Sequence, residues 1–433
     1  MDTSSLLIII LAIISFDFVF ERILDFLNMK SQRDDIPESM SDFYNEEKYK
    51  KSQAYYKTSA GFSFVTSTFS FVLSFALLAL GFFGWYDEIL RSYIDNEILL
   101  ALAFFGSLFV ASDFLNTPFQ IFATFVIEEK FGFNKTTPRL FITDKLKGYL
   151  LTAIIGSALG WVFFWLVQTL GQSFWIYFLM IVAVFMLFMN MFYTSLILPL
   201  FNKLTPLEDG ELKVAIHAYC EKVKFPLTNI FVIDGSKRTK KANAFFSGLG
   251  KKKKVILYDT LIENHTKEEL LAIFAHEVGH FKKKHIAYGY VISIVQMALS
   301  LFILSLMVFN ENLSLALGGK QMSIHLNLLA FGILYSPISH ITGIFTMILS
   351  RKNEFEADAF ASGTYNGNAL KTALKKLSVD NLSNLYPHPA YVFFHYSHPP
   401  LLERVSAIEQ VTGAQSQNMG GIMVKHKEAP KGW

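Results

Sequence analysis

The run Leu270-Leu-Ala-Ile-Phe-Ala-His-Glu-Val-Gly-His-Phe-Lys-Lys-Lys-His285 sets His276 and His280 four residues apart, with Glu277 directly after the first. On a helix this spacing puts both imidazoles on one face, where they can converge on a single cation. Glu277, one step round the helix, is placed to act as general base toward a water that the cation polarises. Thr266-Lys-Glu-Glu269 predicts a capping box at the start of that helix. Leu270, Leu271, Ile273, Phe274 and Val278 supply a stripe to bury, and Lys282, Lys283 and Lys284 suit its C-terminus. His285 falls off the ligand face and reads as structural or interfacial. A longer motif with a glycine and a third histidine beyond His280 is absent, since Lys283 and Ile286 hold those places. The third ligand must come from elsewhere in the chain.

The elements that position this helix belong to a membrane protein. Of 433 residues 52% are hydrophobic and 17% charged, against about 25% charged in soluble domains. The net charge of +3 is too small to point to nucleic acid. The single Cys220 excludes an internal disulfide, and with no activating group nearby it reads as a buried bystander rather than a nucleophile. Seven stretches are long and apolar enough to span a bilayer: 6–24, 60–85, 98–122, 148–170, 174–200, 286–309 and 326–349. The first lacks a basic leader and a small-residue cleavage site, so it reads as a retained span. Asp113 and His340 lie inside spans, where such groups face a bundle interior or a water-filled cavity. Segments 28–59, 123–147 and 201–285 carry 6, 5 and 16 Lys and Arg, whereas 86–97, 171–173 and 310–325 carry 1, 0 and 1. This asymmetry predicts that the first set is cytoplasmic, the N-terminus outside, and the motif helix at the cytoplasmic interface.

The expected organisation is five membrane helices over 1–200, a folded cytoplasmic insertion over 201–285, two more helices over 286–349, and a cytoplasmic helical part over 350–412. The insertion should contain a helix at 211–223, a strand at 229–234 and a hairpin of 242–247 with 255–259. The turn of that hairpin holds Lys251 to Lys254, which read as solvated or as contacts to acidic headgroups. Helices are expected at 352–363, 368–385 and 401–411, and the polar, Gly-containing tail 413–433 reads as disordered.

Directly after the seventh span stands Ser350-Arg-Lys-Asn-Glu-Phe-Glu-Ala-Asp-Ala-Phe360. Glu354 and Asp358 share a helical face, and Glu356 points to the other side. Glu354 can complete a two-His, one-Glu site with an open fourth position, and Asp358 can accept a hydrogen bond from a ligand histidine and set its tautomer. The pair of motifs, one before and one after an apolar span, resembles the type I CaaX prenyl endopeptidases, integral-membrane zinc gluzincins. Thr124-Phe-Val-Ile-Glu-Glu-Lys-Phe-Gly-Phe-Asn134, Ala242-Asn-Ala-Phe245, Asp259-Thr-Leu261 and His395-Tyr-Ser-His-Pro-Pro-Leu-Leu-Glu-Arg404 are similar to segments of the same family.

The resemblance implies a mainly α, polytopic fold in which seven helices enclose a chamber closed by a cytoplasmic zinc domain with a small β-hairpin or sheet. It implies one Zn2+ per chain held by His276, His280 and Glu354, with Glu277 as general base. His398 is similar to a histidine that hydrogen-bonds the developing oxyanion. Asn243 resembles a residue on the strand edge that takes the substrate backbone, and Arg404 one that supports the ligands or meets a substrate carbonyl. The implied reaction is removal of the C-terminal tripeptide from prenylated proteins, at the endoplasmic reticulum membrane of a eukaryote or the cytoplasmic membrane of a bacterium. In an organism without prenylated proteins, general membrane-protein quality control uses the same chemistry. A protease with its motif deep in the bilayer would not place Lys282–Lys284 after it. A polytopic transporter would leave both metal motifs without purpose, and metal content separates it from a protease.

Overall fold

The structure, a computed structural model, describes residues 2–247 and 253–425. The turn lysines Lys251 and Lys252 and the chain end beyond Lys425 lie outside the described residues. The chain divides into two compact units, one of residues 1–29, 57–193 and 289–344, the other of 30–56, 194–288 and 345–433.

The first unit is helical because its sequence is. Without water in a bilayer core, apolar backbone must bond within its own segment, and the helix does this. Helices run over Thr3–Lys30, Glu46–Ala79, Glu97–Phe122, Pro138–Leu170, Phe174–Leu196 and His285–Met307. Among the described residues five helical segments are long and apolar enough to cross a membrane, and a bent pair makes a sixth. One of the five, Pro138–Phe201, contains two stretches that the sequence counts as separate spans, broken at Gly171 where φ is +53°. The stretch expected to end at residue 85 ends at Ala79 instead. Gly81 follows with φ +66°, and Phe82–Arg91 is a separate helix. The stretch expected at 326–349 is likewise not one straight span: Ile324–Leu334 and Ser336–Thr364 meet at 52°. Pro337 explains the break, since its ring removes a backbone donor and clashes with the preceding turn.

Ile8, Phe16, Phe114, Val184 and Val295 are each more than 60% exposed, a surface suited to lipid rather than water. The two ionisable groups expected inside spans are paired. Asp113 meets Lys145 at 2.7 Å and hydrogen-bonds Tyr149, and His340 lies 3.4 Å from Asp17. Helices Glu97–Phe122 and Pro138–Leu170 border an apolar cavity of ≈ 720 Å3 lined by Phe105, Phe109, Tyr149 and Gly156 among others.

The second unit holds a four-stranded sheet, β1 (Leu204–Pro206), β2 (Leu227–Ile233), β3 (Ala244–Ser247) and β4 (Lys253–Tyr258), in the order β1-β2-β4-β3. β3 and β4 are the expected hairpin, antiparallel with Phe245 opposite Ile256. β1 and the parallel pairing of β2 with β4 are additions that alternation in the sequence does not reveal. One face of the sheet, through Val255 and Leu257, packs on Leu270, Leu271 and Phe274 of the helix Lys267–Lys282, together with Ile216 and Tyr219. Cys220 is buried in that core, and burial pushes its thiol up to about 12. It is the bystander expected of it. The last helix, Leu401–Lys425, continues past Gly413, where the sequence suggests a disordered tail.

The capping box forms as the sequence predicts: Thr266 Oγ1 accepts from Glu269 N at 3.3 Å, and Thr266 N donates to Glu269 Oε2 at 3.0 Å. Farther along, Gly279 lets this helix press onto Ser336–Thr364. A Cβ at Gly279 would stand 3.0 Å from Ala357 Cα and 3.1 Å from its carbonyl oxygen. Backbone cannot retreat as a flexible side chain can. Gly279→Ala should therefore destabilise the second unit by about 1–3 kcal/mol through overpacking. A lowered thermal midpoint together with reduced metal occupancy is the expected outcome, and an unchanged midpoint would show that the helices are not in this close register.

Candidate metal centre

The close approach at Gly279 lets one helix deliver two imidazoles and the other a carboxylate. One nitrogen each of His276 and His280 and one oxygen of Glu354 lie within 4.8 Å of one another. The two Nε2 atoms are 3.1 Å apart, and Glu354 oxygens are 3.5 Å from His276 Nε2 and 3.2 Å from His280 Nε2. For a tetrahedral ion with bonds of 2.0–2.1 Å, ligand atoms stand about 3.3 Å from each other. These separations match that edge length. Glu354 is 4% exposed, and its Oε2 is buried without a hydrogen-bond partner. Charge points the same way: carboxylates Glu277, Glu354 and Asp358 face one guanidinium, Arg404. A divalent cation would neutralise the remaining negative charge and take up the orphaned oxygen. The residues fit such an ion.

The surrounding groups set the histidines' orientation. Asp358, one turn beyond Glu354, accepts from His276 Nδ1 at 2.8 Å, leaving Nε2 toward the site. Arg404 grips the same carboxylate, with Nε 2.8 Å from Oδ2 and Nη2 2.7 Å from Oδ1, and its Nη1 lies 3.4 Å from Glu354 Oε2. Such bidentate pairs are among the stronger charged contacts in proteins, and here the pair is buried. Burial opposes charging of His276, yet the hydrogen bond it donates to Asp358 and the adjacent Glu354 carboxylate outweigh this and raise its pKa to about 9. Glu277 sits where burial pushes its carboxyl above the ordinary range, with the nearby histidines offsetting this in part.

The other expected residues gather around one pocket of ≈ 200 Å3. Asn243, His276, Glu277, Glu354, His398 and Arg404 all line it, together with Leu261, Ile273, Leu370, Leu374 and Leu377. His398 Nε2 lies 3.5 Å from Glu354 Oε1, and its side chain is otherwise exposed. Asn243 precedes β3. Its carbonyl accepts from Tyr258 N at 3.1 Å and its Oδ1 from Ala244 N at 2.8 Å. β3 has β4 on one side and no strand on the other among the described residues.

Three residues near the site are not apparent from spacing. Arg351, one turn before Glu354, donates to the carbonyls of Val392 at 3.0 Å and Tyr396 at 2.7 Å, tying the segment before His398 to the Glu354 helix. His285 and Glu356 also reach the site's margin: His280 Nδ1 is 3.1 Å from His285 Nδ1, and His285 Nε2 is 3.3 Å from Glu356 Oε2. Glu356 does point away from Glu354, as its position on the helix requires. His285, off the ligand face by helical phase, reaches His280 all the same. The helix ends at Lys282, and Lys284, with φ +60°, turns the chain so that His285 returns to His280.

Two family models match the chain, CAAX prenyl protease N-terminal, five membrane helices, over residues 25–203, and peptidase family M48 over 206–412. The chain belongs to peptidase family M48. It is 34% identical to a CAAX prenyl protease 1 homolog of Arabidopsis thaliana over 401 residues, covering 90% of this chain and 95% of that protein. Against CAAX prenyl protease 1 of Saccharomyces cerevisiae it is 33% identical over 338 residues, 74% of this chain and 75% of the relative. The crystal structure of Ste24p from S. mikatae matches with a TM-score of 0.89 at 31% identity, covering 93% of this chain and 99% of that one. As an M48 member the chain is a metallopeptidase, and the N-terminal match together with the apolar helices makes it a multi-pass membrane protein.

A metal ion held by this cluster would displace the proton of His276. Because its folded, metal-free pKa is about 9, the proton is held at neutral pH and released as pH rises through that value. Apparent metal affinity of the stripped protein should thus climb by about tenfold per pH unit between about 7 and 9 and then level off. Chelator competition across that range tests this, and a flat profile would show that His276 carries no such proton.

Proposed function

We propose that this chain is a zinc endopeptidase that hydrolyses an extended peptide at the cytoplasmic membrane surface, with His276, His280 and Glu354 as ligands and Glu277 as general base. The observation that carries the proposal is the single pocket in which the three-ligand cluster, Glu277, His398 and the start of the β3 edge strand meet. When bound, the zinc supplies Lewis-acid chemistry, polarising the scissile carbonyl and its attacking water.

The remaining work falls to the protein's own groups. A substrate adds as a strand along the free edge of β3, guided at its start by Asn243, so that main-chain hydrogen bonds fix its register. Glu277 takes the proton of the attacking water and returns it to the leaving amine, and a carboxyl raised above its ordinary range suits that exchange. His398 donates to the developing oxyanion from across the pocket. Arg404 holds Asp358, and through it His276, in place. The aliphatic wall of Leu261, Ile273, Leu370, Leu374 and Leu377 suits an apolar side chain beside the scissile bond. These features and the named relatives support prenylated proteins with C-terminal CaaX sequences as substrates, cleaved to release the tripeptide. The excess of Lys and Arg in 28–59, 123–147 and 201–285 supports a cytoplasmic active site.

Purified protein offered CaaX peptides with and without an isoprenoid chain tests both chemistry and substrate. Cleavage only of the prenylated peptide is expected, and equal cleavage of the two would favour a general quality-control role. In the same assay Glu277→Gln should keep its zinc and lose turnover by about 10²–10⁴-fold; retention of a tenth of the activity would exclude Glu277 as base. His398→Ala should keep zinc and lower kcat by about 10²–10³-fold with little change in KM, whereas His395→Ala should be far milder. An empty metal site in His398→Ala would overturn the role given to it.

A further inference from the structure

We propose that His285 and Glu356 act in series to set the tautomer and ring orientation of His280, the second imidazole of the metal site; this rests on the metal reading above. The geometry permits one chain of protons. Glu356 Oε2, 3.3 Å from His285 Nε2, is an acceptor, so that nitrogen carries the hydrogen. In the neutral ring His285 Nδ1 is then an acceptor, and it lies 3.1 Å from His280 Nδ1. The hydrogen of His280 therefore sits on Nδ1, and its Nε2 lone pair faces His276 Nε2 and Glu354. The opposite tautomer would put an N–H where the ion must bind.

The two ligand histidines are thus oriented by different means. His276 meets its carboxylate, Asp358, directly, and Arg404 clamps that carboxylate. His280 reaches its carboxylate through a second ring. Glu354 and Glu356, two residues apart on one helix, serve the same ligand from opposite sides: Glu354 meets Nε2, and Glu356 acts through His285 on Nδ1. His285 is 8% exposed, so little water competes for its ring nitrogens. The outer oxygen of Glu356 lies 3.9 Å from Lys352 Nζ, on the half-exposed side of the helix. Its place in the relay comes from the left-handed Lys284, which folds the start of the next helix back against the motif helix.

The test uses the full chain in detergent, stripped of metal and titrated with Zn2+ against a chromophoric chelator. Glu356→Ala and His285→Phe should each weaken zinc binding by about 10–100-fold, with the thermal midpoint of the stripped protein unchanged. The double variant should bind no worse than His285→Phe alone, because groups in series fail together. Lys352→Ala, which removes only the outer neighbour of Glu356, should bind as the wild type does. The Co2+-loaded Glu356→Ala protein should show an altered d–d spectrum, which a merely structural loss would not produce. Wild-type affinity in Glu356→Ala, or losses that multiply in the double variant, would overturn the relay. If His285→Phe does not fold, the half-exposed Glu356→Ala decides alone. A wild-type chain that takes up no zinc would instead overturn the metal reading itself.

Discussion

Burying Glu354 and Asp358 is the constraint around which the second unit is arranged. The two carboxylates are 4% and 1% exposed and stand one turn apart on one helix. Removing a carboxylate from water without compensation is costly enough that buried acids are paired or bind metal. Asp358 is compensated within the protein, by the fork of Arg404 and the ring of His276. Glu354 is compensated only in part: Arg404 touches its margin, and one oxygen has no hydrogen-bond partner. The imbalance is local and directional. It sits where two imidazole nitrogens converge, which is the arrangement expected of a site completed by a divalent cation.

Close packing makes that convergence possible. Gly279 lies between His276 and His280 and Ala357 between Glu354 and Asp358 on the facing helix. With no side chain at the first and a methyl at the second, the helices approach until ligand atoms are separated by about the edge of a tetrahedron. The same close contact leaves no room for slippage, so the site is preorganised by backbone contact rather than by side-chain adaptation. The sheet supports it from behind, because Val255 and Leu257 of β4 anchor the apolar stripe of the motif helix. β4 thereby also presents β3 and Asn243 at the mouth of the pocket.

Chain breaks matter as much as regular elements. Pro337 bends the apolar pair Ile324–Leu334 and Ser336–Thr364. Lys284, two residues past the end of the motif helix, turns the chain directly before a helix apolar enough to cross a membrane. That turn brings His285 to His280. Arg351, on the Glu354 helix, donates to the carbonyls of Val392 and Tyr396 and ties down the segment before His398.

Local periodicity was enough to find His276, Glu277, His280, Glu354 and Asp358, because i, i+4 spacing on a helix is a contact rule that survives any packing. The capping box at Thr266, the β3–β4 hairpin and the apolar helices were legible for the same reason: each is specified by neighbours in the chain. Resemblance to a family, not spacing, drew attention to Asn243, His398 and Arg404, which lie far from the motif in sequence. The parallel pairing of β2 with β4, the grip of Arg404 on Asp358 and the arrival of His285 at His280 were decided only by tertiary structure. Helical phase places His285 well off the ligand face. A left-handed residue between two helices cancels that phase, and no pattern in the residues alone states where a lysine will adopt it.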